Sequence, residues 1–514
     1  MNNYTIILKK FLKKECITNI ELTNIINDLN IYQCSVLSYL IYWTANNISL
    51  DSIVKIIFNK FPDIRKYIYC LFETGYSEQI MDGNLSFILK SIYQHKTVGK
   101  KYFDYFITKL VKEQIEPPYP AIFLINIYIN GLTDEDIYSL TISMRDSGNI
   151  YDYRRIIKDK IVVRRYPTGA LSEKIALLLP SMLLSISTDV PLISTFLVAK
   201  SLSFTGGTWD KLSVIDNFHF PDPGVEAIQV LQQCNIAMTV AKADLCPADT
   251  ILYKIRSITG TVDSIPLAVA SIASKQLASP ADVLLLDIRY GDGAFFDKKE
   301  ATILMEKIGW ILVSENFRII NRMTFASQPN GSCIGNYLEV FEAISIMKKN
   351  TSNFNEFGIK EQVNILIDFF SELMHECFPE KTKNYWAGIG NDILNSGALL
   401  KSFEKLLITH NVKKETVNAL LSDPLLYFNM HRVGYIHANK AGTITYINQK
   451  KLGNIVNFGF DSEKELPCPN IQLHKRLGDA VTENDSICSL YYQSKKIVIT
   501  DKVCCELRSC FNIE

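Results

Sequence analysis

Two groups of residues have spacing that chemistry could use. The first is Ser271 with Lys275. Ser271 and Lys275 are four residues apart within SIPLAVASIASK, so one helical face presents a hydroxyl and an ammonium together. Such donors stabilise negative charge that develops in a reaction. Taken alone, they fit a solvated helix equally well. The second group is RYPTGALSEK, Arg165 to Lys174. A β-branched run (Ile161, Val162, Val163) leads in, Thr168-Gly169 turns, and Ser172-x-Lys174 opens an apolar helix. That is the outline of a loop that grips phosphate, yet Pro167 has neither hydroxyl nor backbone N–H.

The elements that must position these residues follow from pattern. The chain has 514 residues, long enough for two to four domains. Hydrophobic residues make up 47% and charged residues 21%, a composition suited to sizeable cores. Lys+Arg and Asp+Glu are equal at 54 each, which gives no electrostatic argument for nucleic acid or an anionic membrane as partner. No apolar run reaches the ~18–20 residues that span a bilayer. The N-terminal MNNYTIILKKFLKKE reads as an amphipathic helix packed on the protein body, with a membrane-surface helix as the alternative. Cys504, Cys505 and Cys510 lack zinc-ligand spacing, and the seven histidines lack metal-ligand spacing, so no metal and no cofactor are expected. Twelve scattered cysteines fit a reduced, cytoplasmic setting.

Residues 1–95 read as helical. SLDSIVKIIFNKF opens on a candidate Ser cap and places Ile53, Ile56, Ile57 and Phe61 on one face. Residues 96–160 hold more helices, among them GLTDEDIYSLTISMRDSG, capped by Thr133 and stopped at Ser147-Gly148. From 161 to 340 short β-branched runs alternate with helical patterns, which argues for an α/β domain with buried strands, with further helices from about 205 to 230. Residues 341–425 are helix-rich, and 426–514 form a small α+β piece. The fold class is therefore multidomain: a helical domain, an α/β domain with a central sheet, and a C-terminal α+β domain.

Four stretches occur in order: SFTGGTWDKLSVI, ADLCPADTILYKIRSITGTVDSIPLAVASIASKQLA, LLLDIRYGDGAFF and QPNGSCIGNYLEVFEAI. Together they resemble the thymidine phosphorylase and pyrimidine nucleoside phosphorylase family, over about residues 100–500. The resemblance implies 96–160 as the family's α domain, 161–340 as its nucleoside-binding domain, and 1–95 as an extra N-terminal helical module. It also implies a homodimer in which phosphate attacks C1′ of a pyrimidine nucleoside and the base departs.

By this resemblance Arg256, Ser271 and Lys275 are the catalytic, base-side residues, with Tyr166 and Leu202 beside the base. Arg165, Thr168, Thr208 and Lys200 fall on the phosphate or acceptor side. The family loop carries Lys, His and Ser where this chain has Arg165, Tyr166 and Pro167. Ala170 and Ser172 replace two glycines, Ala176 replaces a second phosphate-binding serine, and Val198 (or Ser194 in a shifted register) stands for a third. A hydrogen bond to a charged group is worth roughly 1.5–3 kcal/mol, so losing two or three removes roughly 3–9 kcal/mol. The expected function is glycosyl transfer on a pyrimidine nucleoside, nucleotide or base with an acceptor other than phosphate. Glu173 and Asp210 are candidate bases for such an acceptor, each with a structural alternative. A conventional phosphorylase and a non-catalytic nucleoside-binding or scaffold protein stand beside that reading.

Overall fold

A computed structural model describes residues 3–514 except 14, 16, 18, 45–50, 73–81, 202, 241–243, 350 and 353. Ser49, the candidate cap of SLDSIVKIIFNKF, lies outside the described residues. The chain divides into two compact units. The first comprises Met1–Tyr151, Ala243–Ser279 and Glu306–Glu315; the second comprises Asp152–Lys242, Pro280–Met305 and Asn316–Glu514.

The first unit is helical. Its helix Asp134–Arg145 starts where expected, with Thr133 Oγ1 accepting from Asp136 N at 3.1 Å. Asp136 does more than favour the helix N-terminus. It is buried, and its carboxylate accepts from Val98 N and Gly99 N at 2.9 Å each. The N-terminal helix Asn3–Leu12 buries Tyr4, Ile7, Leu8 and Phe11. Those side chains belong to one apolar core that also holds Tyr39, Leu89, Phe123 and Met144, together with Leu252, Ile255 and Leu267. Residues 1–95 are thus an integral layer of this core. They also touch the helix that bears Arg256: Tyr4 Oη donates to Thr259 O at 3.1 Å. Gly260 ends that helix in the left-handed region (φ +72°), where a Cβ would lie 2.5 Å from Leu8.

The second unit is built on a parallel sheet of β1 (Ile161–Pro167), β2 (Leu192–Val198), β3 (Ile236–Val240), β4 (Val283–Tyr290) and β5 (Arg318–Phe325). Its order is β3-β2-β1-β4-β5. β4 is buried along nearly its whole length, as parallel strands covered on both faces are. The helix Ile175–Ile186 after the loop of β1 is also buried almost all round. The C-terminal part adds two antiparallel sheets from seven further strands: β6 (Cys333–Ile334), β7 (His431–His437), β8 (Gly442–Ile447), β9 (Asn470–Leu473), β10 (Ala480–Val481), β11 (Ser486–Tyr492) and β12 (Phe511–Ile513). The orders are β6-β9-β11-β7 and β10-β8-β12. The expected helical, α/β and α+β parts are all present.

Candidate active site

The chain runs outward from β1 through β2 to β3, then returns to the other side of β1 for β4 and β5. The strand order therefore switches between β1 and β4. In open α/β sheets ligands bind at such a point, beyond the carboxyl ends of the strands. RYPTGALSEK lies at the carboxyl end of β1. Arg165, Tyr166 and Pro167 are still sheet residues, paired with Leu285, Leu286 and Asp287. Thr168 then ties the loop to β4: its N donates to Asp287 O at 3.0 Å, and its Oγ1 accepts from Arg289 N at 2.8 Å. Gly169 (φ +91°) brings the turn toward the glycine-rich segment before Thr208, where its Cβ would lie 3.9 Å from Thr205 Oγ1.

The charged residues of the loop close on the protein itself. Arg165 is 4% exposed, and its Nη2 lies 2.6 Å from Asp287 Oδ2 and 3.3 Å from Glu173 Oε1. Its guanidinium also lies over the Phe369 ring at 5.1 Å. Burial opposes the charged forms of Glu173 and Asp287, but the guanidiniums of Arg165 and Arg289 outweigh it and hold both carboxyls below the usual range. The positive charge of Arg165 is thus paired with two carboxylates inside the fold. Neighbouring Arg164 donates instead to Thr195 O at 2.7 Å, and burial lowers its pKa to about 10.

Ser172 and Lys174 have a job that sequence reading missed. Lys174 Nζ is fully buried, 2.5 Å from Ser172 Oγ, 2.6 Å from Asn330 O, 2.9 Å from Ser172 O and Cys333 O, and 3.0 Å from Glu342 Oε2. Glu342 in turn accepts from Ser332 N and Cys333 N at 2.8 Å each. Leu171 joins the apolar core of the C-terminal sheets. This knot fixes the loop to the segment leading into β6. Nothing local in Ser-x-Lys signals it, since its partners outside the loop, Asn330, Cys333 and Glu342, lie far along the chain.

The other residues that the resemblance assigns to the acceptor side are more open. Thr208 is the half-buried first residue of the helix Thr208–Ser213. Lys200 is exposed, its Nζ 4.4 Å from the centre of the Trp209 ring. Asp210 holds the turn by accepting from Ser201 N at 2.5 Å and Gly207 N at 3.1 Å. Glu173 and Asp210 are therefore both engaged structurally. Ser194 donates to Val163 O at 2.6 Å between strands, while Val198 and Ala176 are buried. Tyr166 is half-buried, and Leu202 lies outside the described residues.

In the helical unit, Ser271 and Lys275 are brought together as their spacing implies. Lys275 Nζ donates to Ser271 Oγ at 2.8 Å. It also makes a close ion pair with Asp249, in the first turn of the helix Pro247–Thr259. Sequence reading did not single out Asp249; its only signal was an acidic side chain at a helix N-terminus. The Lys275 side chain is 20% exposed, more open than that of Asp249. An ammonium has three donors, and two are placed by Asp249 and Ser271. Because Ser271 Oγ accepts from Lys275, its own O–H is left to donate. Cys246 nearby is raised to about 12, chiefly by burial, and is an inert thiol.

Arg256 is not gathered into this cluster. It is 3% exposed and donates to Leu267 O at 3.2 Å, Val262 O at 2.5 Å and Thr261 O at 3.4 Å. In this arrangement it ties the turn after its own helix to the start of the helix Ile265–Ala278.

The sequence signature of the glycosyl transferase family, a/b domain, matches residues 190–364. The pyrimidine-nucleoside phosphorylase of Staphylococcus aureus (strain MSSA476) is 30% identical over 406 residues, covering 77% of this chain and 89% of that protein. The pyrimidine-nucleoside phosphorylase of Staphylococcus haemolyticus (strain JCSC1435) is 28% identical over 412 residues, covering 78% and 90%. Among solved structures, an anthranilate phosphoribosyltransferase from Thermus thermophilus superposes with a TM-score of 0.46 at 11% identity, over 63% of this chain and 99% of that one. At the identity and coverage of the staphylococcal relatives, the chain belongs to the pyrimidine-nucleoside phosphorylase family.

Proposed function

We propose that this protein is a pentosyltransferase acting on the glycosidic bond of a pyrimidine nucleoside or nucleotide, with an acceptor other than phosphate. The observation that carries the reading is the contrast between the two groups of residues. Asp249, Lys275 and Ser271 form a part-exposed polar group, while Arg165 is enclosed with Glu173 and Asp287. In the reaction the C1′–N bond breaks, its electron pair goes to the pyrimidine, a bond from the acceptor to C1′ forms, and the proton lost by a neutral acceptor passes to the departing base. Lys275 and Ser271 donate to the ring oxygen where charge accumulates, and Asp249 positions the ammonium. Water, a carboxylate, an amine or a small hydroxyl compound would serve as acceptor. Pro167 and Ala176 remove donors that phosphate would need. The reading includes a homodimer, from the family resemblance, and a cytoplasmic setting, from the cysteine usage.

A second reading, conventional phosphorolysis, is favoured by the names of the relatives and by the retained Thr168, Gly169 and Thr208. Release of free base from uridine, thymidine and cytidine, followed with and without phosphate, separates the two. We expect release that does not depend on phosphate and that falls about 10²–10³-fold in Lys275→Met. Release only with phosphate selects the second reading. No release, with no rise in melting temperature from any nucleoside, overturns both.

A further inference from the structure

A pocket of about 660 Å³ opens in the second unit, lined by none of the residues assigned above to the base or acceptor side. It lies between the β7, β9 and β11 strands, the helix Asn336–Met347 and the segment before β7. Its volume is within the roughly 300–1,000 Å³ of small-molecule sites. Phe341 and Met430 give it apolar walls. Its charged and titratable lining includes Arg432, Lys495, His431 and His474, with no Asp or Glu among the described residues. Among the described residues neither Arg432 nor Lys495 has a carboxylate partner. Arg432 lies over the Tyr435 ring at 4.6 Å, which orders the guanidinium without neutralising it. The histidines are held by neighbours: His431 Nε2 by Asn429 Oδ1 at 2.9 Å, and His474 Nε2 by Ser489 Oγ at 3.1 Å. Elsewhere in this unit Arg165, Lys174, Lys211 and Arg289 all face carboxylates. Arg432 and Lys495 thus bring two cations without a carboxylate partner to one apolar-walled concavity.

We propose that this pocket binds a phosphorylated ligand of mononucleotide size, its phosphate between Arg432 and Lys495 and its planar group against Phe341 and Met430. Arg suits such a ligand because its fork matches phosphate oxygens, and Lys adds a point charge. This second site is independent of the glycosyl-transfer reading. The test uses the full chain carrying Lys275→Met, which disables the base side, and isothermal titration with UMP, AMP and ribose 5-phosphate. At least one probe is expected to bind, competed by inorganic phosphate and not by uridine. Affinity should fall about tenfold or more in Arg432→Ala/Lys495→Ala, and further in Lys495→Glu. Both side chains are on the surface, so unchanged melting temperatures check the fold of the variants. Binding equal in the parent and the double variant overturns the proposal, as does no binding of any of the three probes.

Discussion

Arg165 shows how one residue's chemistry depends on what it faces. A guanidinium at the carboxyl end of a central strand is suited to an anion, and sequence alone recommends it for one. Here its neighbours are Asp287 and Glu173, all three nearly excluded from water. Removing one member of a buried ion group leaves the others charged and unpaired, which costs about 3–5 kcal/mol. Arg165→Met is therefore expected to lose about that much in urea unfolding, whether or not any substrate is present. Unchanged stability together with a weakened acceptor interaction would return Arg165 to the acceptor side. Lys275 is the opposite case. Its spacing from Ser271 was legible because helical periodicity is local, and the contact formed at 2.8 Å. Asp249 was not legible, because its link to Lys275 spans 26 residues and two helices.

At the scale of elements, helix boundaries and buried strands were readable from caps and β-branched runs, as at Thr133 and Ile161–Val163. What holds the elements together was not. His410, at the end of the helix Ala398–Thr409, is an example. Its Nε2 accepts from Met238 N of β3 at 3.0 Å, and its Nδ1 faces Leu406 O at 2.8 Å. Only the neutral ring with the proton on Nδ1 satisfies both contacts. Burial is the main cause of a pKa lowered to about 4 from an ordinary 6.5. Between those values the unfolded chain binds the proton and the folded one does not, so acidification favours unfolding. Stability is fully present above pH ~6.5 and falls by up to about 3 kcal/mol on approaching pH ~4. Denaturant midpoints measured across that range should show this loss, and His410→Gln should flatten it. A wild-type profile that is level from pH ~6.5 down to ~4.5 would refute the assignment.

At the scale of the whole molecule, residues 1–95 share one apolar core with the helices around Phe123 and Ile255. Removing them exposes that core and takes away Tyr39, whose Oη donates to buried Asn126 Oδ1 at 2.9 Å. A chain starting at residue 96 is expected to lose cooperative unfolding of the helical unit and to bind a hydrophobic dye. If it melts like the intact protein, the segment is an appendage. The sequence by itself determined the family, through long motifs in order, and the local pairing of Ser271 with Lys275, through the pitch of a helix. It also fixed that position 167 offers no backbone or side-chain donor, because Pro167 cannot donate in any fold. Only the tertiary structure decided that Arg165 is enclosed by carboxylates, that Lys174 is a buried fastening, that Arg256 caps backbone carbonyls, and that Arg432 and Lys495 share a pocket. Most of those outcomes depend on partners far away along the chain. Charge and hydrogen-bonding capacity are properties of a residue, whereas what neutralises or opposes them is set by packing.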